Sequence, residues 1–487
     1  MIDFRPVLLV VGIFVTVFGG LMLIPMAVDL FKSDQNWIAF GTSSLLAMAL
    51  GAGLTASSWG KIENITTRQG FLITTASWVA LVVIAALPFW IGTMNMSYTD
   101  AFFEAMSGLT TTGATVVTGL DTAPKGFLLW RSLLQWIGGI GVIIMAIAIL
   151  PFLSVGGMQL FRLESSDPSD KILPGASQIA TAITSLYVIL TGICCVVYWL
   201  MGMSSFDAIN HAMTTIATGG YSTKDASFGY FLNNAYIIGP IDLVATLFMV
   251  LGALPFGMYL LFLRGQLSAP IKDAQVRFFL LAASLFIAII AARIIALFDF
   301  DFFTGLRLSA FNVVSIMTGT GYATTDYGMW GPFAVGFFFC IMFVGGCAGS
   351  TSCGLKVFRL QVAFSALALY GRRLAHPHRM TKARYNGRPL TDDVFLSVLS
   401  FFFIYFAVFA TIAVLLSFFS LDTVTSLSGA GSAIANVGPG LGDIIGPAGN
   451  YAPLPGGAKW VLSAAMLLGR LELLTILVLF APVFWRR

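Results

Sequence analysis

The groups in this chain best placed to do chemistry are gathered in four short strings rich in glycine, threonine and serine. They read Ser107-Gly-Leu-Thr-Thr-Thr-Gly113-Ala-Thr, Thr214-Thr-Ile-Ala-Thr-Gly219-Gly-Tyr-Ser, Val314-Ser-Ile-Met-Thr-Gly319-Thr-Gly-Tyr and Ser432-Ala-Ile-Ala-Asn-Val-Gly438-Pro-Gly. Aligned on Gly113, Gly219, Gly319 and Gly438, they stand 106, 100 and 119 residues apart, each between two long apolar segments. Such a period marks an internal repeat. A cation stripped of its water needs rings of oxygen in place of its hydration shell, and roughly four backbones must turn carbonyls toward one axis to build each ring. Glycine permits the turned-in backbone, and Thr or Ser hydroxyls can add ligands at the ends. The residues expected to bind the ion are Thr111, Thr112 and Gly113; Ala217, Thr218 and Gly219; Met317, Thr318 and Gly319; and Asn436, Val437 and Gly438. Their backbone carbonyls would hold K⁺ as the transported ion, with no covalently bound cofactor.

The elements that must position these strings are membrane helices. Hydrophobic residues make up 58% of the 487 and charged residues 10%, far from the quarter that soluble domains carry. Long apolar stretches run at about 7–28, 37–59, 70–94, 128–156, 175–203, 243–263, 278–299, 327–355, 394–421 and 460–485. These predict an all-α polytopic membrane protein with about ten transmembrane helices. The apolar start reads as a retained first helix rather than a signal peptide. Each glycine string follows an apolar stretch of about ten residues, which as helix reaches only about 15 Å. Such a segment must enter the membrane and turn back, and irregular backbone survives there only where it lines water or is buried in protein. The resulting division is 1–69, two extra helices, then four helix–pore-loop–helix repeats at 70–165, 166–270, 271–390 and 391–487 around a pseudo-four-fold pore. The short helices would aim their partially negative C-terminal ends at the axis. Asp100, Asp207 and Asp422 precede three of them as expected N-terminal caps.

Net charge is only +4, but its distribution is uneven. With the N-terminus inside, eighteen of the 26 basic residues fall on inner segments: Arg5, Lys61, Arg68, Arg162, Lys171, Arg264, Lys272, Arg277, the eight from Lys356 to Arg388, Arg486 and Arg487. Five fall outside (Lys32, Lys125, Arg131, Lys224, Lys459), so the positive-inside rule puts both termini in the cytoplasm. The acid-free run Lys356 to Arg388 fits that bias, and equally a docking surface for a cytoplasmic partner or anionic lipid. Glu104, Arg131, His211 and Arg293 are read as structural caps and pairs. The five cysteines show no CxxC spacing and no His cluster, which argues against a disulfide or zinc site. Val344 to Gly354 holds Gly345, Gly346, Gly349, Ser350, Thr351, Ser352 and Gly354, a run that should break the helix. Arg470 lies mid-span, where a charge must face water or a partner.

Together with Trp130-Arg-Ser-Leu-Leu-Gln-Trp-Ile-Gly-Gly-Ile-Gly141, Gly345-Gly-Cys-Ala-Gly-Ser-Thr-Ser352 and Gly469-Arg-Leu-Glu472, the four strings closely resemble the Trk/Ktr/HKT superfamily of K⁺ transporters, in particular the bacterial Trk-type membrane subunit. The resemblance spans nearly the whole chain. It implies a pore-forming subunit of the bacterial cytoplasmic membrane, a homodimer with one pore per protomer, and a cytoplasmic nucleotide-binding ring that controls opening. It also implies a gate made of Gly345, Gly346, Cys347, Ala348, Gly349, Ser350, Thr351 and Ser352 under the filter, with Arg470 as a barrier to cations. Cys353 departs from the expected pattern at one position of that loop. Each string is more degenerate than a TVGYG filter, so weaker discrimination against Na⁺ is expected.

Two other functions compete. Coupled K⁺ symport with Na⁺ or H⁺ would use intramembrane acids, and apart from Glu472 the mid-span positions lack them. Gly440-Leu-Gly-Asp443 matches the GxGD string of intramembrane proteases, but no apolar span supplies the second aspartate that such chemistry requires. Nothing in the sequence suggests nucleic-acid binding.

Overall fold

The computed structural model describes residues 2–60, 66–148, 176–376, 384–385 and 388–486. Lys61, Arg162, Lys171, Arg379, Lys382 and Arg487, all counted to the inner face, and the 165/166 repeat boundary lie outside the described residues.

Within the described residues, seven helices are long and apolar enough to cross a membrane: Arg5–Phe31, Trp37–Ser57, Thr67–Ile91, Lys125–Ile144, Gln178–Leu200, Ala274–Phe298 and Asp392–Phe418. Two further apolar helix pairs are sharply bent at a break. Ile241–Ala253 and Phe256–Leu263 meet at 93°, and Gly456–Arg470 and Leu474–Phe480 meet at 104°. The tenth expected span, 327–355, is not a helix throughout. It yields Pro332–Ile341 and then irregular chain up to a further helix, Val357–Ala375, because the glycine run cannot sustain helical backbone. The sequence reading missed that further helix.

The two N-terminal helices pack by close backbone approach. A β-carbon on Gly12 would lie within 3.0 Å of the Gly51 carbonyl, one on Gly51 within 3.0 Å of the Gly12 carbonyl, and Ser44 Oγ donates across the pair to Gly19 O at 2.7 Å. Small residues permit this contact, which lipid itself does not drive. The pair is tied to the first repeat through the buried Asp29 carboxylate, which accepts from Asn36 Nδ2 at 3.0 Å and from the Gly126 backbone.

Four short helices follow long ones: Tyr98–Leu109, Ser205–Ile216, Phe302–Thr318 and Thr423–Ala435. Each starts at a capped N-terminus, since an unpaired N–H there is costly in a membrane. The caps differ from expectation in three places. Ser97 and Ser204 cap the first two helices, while Asp100 and Asp207 stand inside the first turn and accept from those serine hydroxyls at 2.7 Å. Asp301, unforeseen, caps the third. Asp422 caps the fourth as expected, and the hydrogen bonds from Thr425 hold its carboxyl below the usual range.

Candidate ion-conduction site

The C-terminal ends of the four short helices run into loops with one shared backbone course. The first residue of positive φ stands two places past the first two helices and directly after the other two: Thr111 (52°), Thr218 (50°), Gly319 (76°) and Asn436 (52°). Two residues on, φ is positive again, at Gly113 (86°), Gly220 (77°), Gly321 (80°) and Gly438 (107°). The backbone hydrogen bonds agree. Thr112 N, Gly219 N, Thr320 N and Val437 N donate to Ser107, Thr214, Ser315 and Ser432 O, at 2.9, 2.9, 2.9 and 3.0 Å.

This corrects the alignment. Gly219 and Gly319 are not equivalent to Gly113 and Gly438; Gly220 and Gly321 are. Ala217, Met317 and Thr318 belong to the helix ends, whereas Gly220, Thr320 and Gly321 enter the loops. Two left-handed positions occur in each loop, and only the second is glycine in all four, because the first tolerates Thr or Asn at modest strain. A string match on the first glycine after threonine lands on whichever position carries it.

The loops close on one another in cyclic order. A β-carbon on Gly113 would fall within 3.0 Å of Gly219 O, one on Gly220 within 3.0 Å of Thr320 O, one on Gly321 within 3.0 Å of Val437 O, and one on Gly438 within 3.0 Å of Thr112 O. First meets second, second third, third fourth and fourth first. All four of these glycines also line one cavity of about 80 Å³, so the loops share an axis. Among the described residues, no donor is paired with the buried carbonyls of Thr111, Thr218, Gly319 and Asn436, and a buried carbonyl needs a partner.

Behind the ring lies a buried polar frame. Glu104 and Arg131 form an ion pair at 2.7 Å with side chains 0% and 1% exposed. Glu104 also accepts from Val116 N at 3.0 Å, while Arg131 reaches Ser222 O at 2.8 Å and stacks on Tyr221. His211 lies between Asp207 O at 2.8 Å and Ser222 Oγ at 2.9 Å. The expected structural roles of these three hold. Arg293 departs from it: exposed on the helix Ala274–Phe298, it forms no ion pair among the described residues. Removing one partner strands a buried charge and costs about 3–5 kcal/mol. Arg131→Ala and Glu104→Gln are each expected to lower the melting temperature sharply, checked by thermal unfolding in detergent.

The glycine run lies against the same loops. Gly345 N donates to Leu355 O at 2.9 Å and Leu355 N to Phe343 O at 3.0 Å, pinching the run at its base. From there Ser352 Oγ donates to Thr318 O at 2.6 Å, and Thr351 Oγ1 is shared between Ile216 O and Gly252 O, both at 2.9 Å. Cys353 Sγ is 3.6 Å from Thr111 Oγ1. Three of the four short helix–loop units are therefore touched near the ring. Arg470, 3% exposed, donates to Gly138 O at 2.8 Å, to Thr351 O at 3.3 Å and to Cys353 Sγ. Its partners are a helix carbonyl, a carbonyl of the glycine run and a thiol. Glu472 instead pairs with Arg359 at 2.5 Å. Arg359 and Lys356, counted among the inner basic run, are both buried; Lys356 donates to Ser352 O. No spacing rule links Arg359 to Glu472, so the sequence reading missed that pair.

Four short helix–loop units closed head to tail inside a multi-pass helical membrane protein define a membrane transporter of ions rather than an enzyme. A family model described as a cation transport protein, TrkH, matches residues 38–487. The chain is 46% identical over 483 residues to the Trk system potassium uptake protein TrkI of Halomonas elongata, covering 99% of this chain and 97% of that one. It is 37% identical over 490 residues to the Trk system potassium uptake protein TrkH of Salmonella typhimurium, covering 99% of each. The crystal structure of the potassium transporter TrkH from Vibrio parahaemolyticus superposes with a TM-score of 0.91 at 35% identity, covering 100% of both chains. The chain belongs to the TrkH family of cation transport proteins.

Proposed function

We propose that this protein takes up K⁺ through one channel-like pore whose selectivity filter is the ring of four loops. The observation that carries this reading is the cyclic closure of Gly113, Gly220, Gly321 and Gly438, each against the next loop's carbonyl. Unpaired carbonyls at Thr111, Thr218, Gly319 and Asn436 offer oxygen to a dehydrated ion, and four helix C-termini add negative potential. The run Gly345 to Ser352 is the gate and Arg470 the charge that holds it and repels cations. The similarity to Trk system potassium uptake proteins favours K⁺ as cargo.

A coupled symporter would need a free mid-span acid, and Glu472 is committed to Arg359. We further assign cytoplasmic termini from the charge bias, a homodimer with one pore per protomer, and an inner nucleotide-binding ring that moves the gate.

The test is cation flux into liposomes of purified protein, comparing K⁺, Rb⁺, Na⁺ and Li⁺. Passive K⁺-preferring flux supports the pore; flux that appears only with an imposed Na⁺ or H⁺ gradient makes it a symporter. Thr351→Val deletes the hydroxyl shared by Ile216 and Gly252 at unchanged shape. With a hydrogen bond worth about 1.4 kcal/mol at the upper end, the open fraction rises about tenfold, read as faster K⁺ flux without any partner.

A further inference from the structure

The four loops are not equally equipped at the position between their two left-handed residues. It holds Thr112, Gly219, Thr320 and Val437 in the first to fourth repeats. In the first and third, the threonine hydroxyl bonds the threonine two residues earlier: Thr110 with Thr112 at 2.8 Å, and Thr318 with Thr320 at 2.8 Å. The fourth offers Val437 after Ala435. The second offers Ala217 and Gly219, and thus no side chain beyond a methyl group at either place.

That gap is filled from another element. Gln135, buried on the helix Lys125–Ala148 of the first repeat, lies so close behind Gly219 that a β-carbon there would stand 2.5 Å from its Cδ. Its Nε2 donates to Gly219 O at 2.6 Å, and its Oε1 accepts from Tyr221 N at 2.9 Å. One carboxamide thereby splints the second loop on both sides of Gly220, whose own β-carbon position meets the third loop. Gly219 has no positive φ, so its glycine is required by the room Gln135 takes and not by the backbone.

Resting on the pore reading above, we propose that Gln135 is a specificity-determining positioning residue: it supplies from the first repeat the side chain that the second filter loop lacks, and so sets how sharply the ring separates K⁺ from Na⁺. A fully bonded amide bridge holds its loop rigidly, and partial loss of such a network leaves buried polar groups unpaired. Looseness in one of four loops lets the ring shrink around a smaller ion.

The experiment measures K⁺ and Na⁺ flux in liposomes for wild type, Gln135→Ala, Gln135→Glu, and the exchange variant Gln135→Ala with Gly219→Val. Gln135→Ala removes both hydrogen bonds and is expected to lower the K⁺/Na⁺ flux ratio about tenfold or more, a tenfold change being what one hydrogen bond of about 1.4 kcal/mol corresponds to. Gln135→Glu keeps the acceptor for Tyr221 N, loses the donor to Gly219 O, and is expected to fall in the same direction. The exchange variant gives the second loop the Ala–Val pair of the fourth and should regain most of the ratio. An unchanged ratio in Gln135→Ala, or an exchange variant no better than that single change, overturns the proposal. A wild type without passive K⁺ flux overturns the pore reading instead.

Discussion

Gly321→Ala is expected to cost the protein its K⁺ preference, while Gly319→Asn, two residues away, leaves it nearly intact. Both glycines have positive φ, so φ alone does not separate them. At Gly321 a β-carbon would lie within 3.0 Å of Val437 O, part of a neighbouring loop that cannot retreat without opening the ring. At Gly319 the nearest atom to a β-carbon is Asn436 O at 3.3 Å, and the equivalent positions already hold Thr111, Thr218 and Asn436 at φ of 50–52°. The left-handed penalty for alanine alone is about 1–2 kcal/mol, and the overlap adds to it. The K⁺/Na⁺ flux ratio should fall by about thirtyfold or more in Gly321→Ala, equivalent to about 2 kcal/mol, and by less than about threefold in Gly319→Asn. Equal losses in both would overturn the corrected alignment.

Arg470→Ala should raise K⁺ flux in the absence of any partner. Two effects add. The guanidinium clamps the glycine run at Thr351 O and Cys353 Sγ while anchored to Gly138 O, so its loss frees the run. In the proposed pore it is also a fixed positive charge close to the path of a cation. A unit charge roughly 8 Å away raises a cation's energy by about 2 kcal/mol at an effective dielectric constant near 20, a rate factor of about thirty. Arg470→Lys separates the effects: it keeps the charge but not the planar fork of donors, and should raise flux by less. Single-channel recording distinguishes a higher open fraction from a larger unitary current. Unchanged flux in Arg470→Ala would remove this residue from the gate.

Much of this architecture is legible in the sequence because the membrane leaves few options. Apolar length marks the spans, and the period of the glycine strings marks the repeat. The break after Ile341 follows from Gly345, Gly346 and Gly349, which no membrane helix would place together. What sequence could not give is register and partnership. Gly219 and Gly319 look like Gly113 in a string, and only the backbone angle shows that Gly220 and Gly321 do that work. Arg359 reads as one more inner cation until its contact with Glu472, 113 residues on, is seen. Gln135 lies within one of the strings that carry the family resemblance, but nothing there points to Gly219, since a glutamine on an apolar helix has many uses and its partner Gly219 is conspicuous for a different reason.

The head-to-tail closure of Gly113, Gly220, Gly321 and Gly438 has a practical side for genetics. Because one polypeptide supplies all four quadrants, an ordinary point mutation alters a single quadrant of the ring. In a channel assembled from identical subunits the same lesion strikes every quadrant at once, and intermediate doses require mixed assemblies. Here one to four altered quadrants can be written into one gene, so the cooperativity among them is open to direct titration.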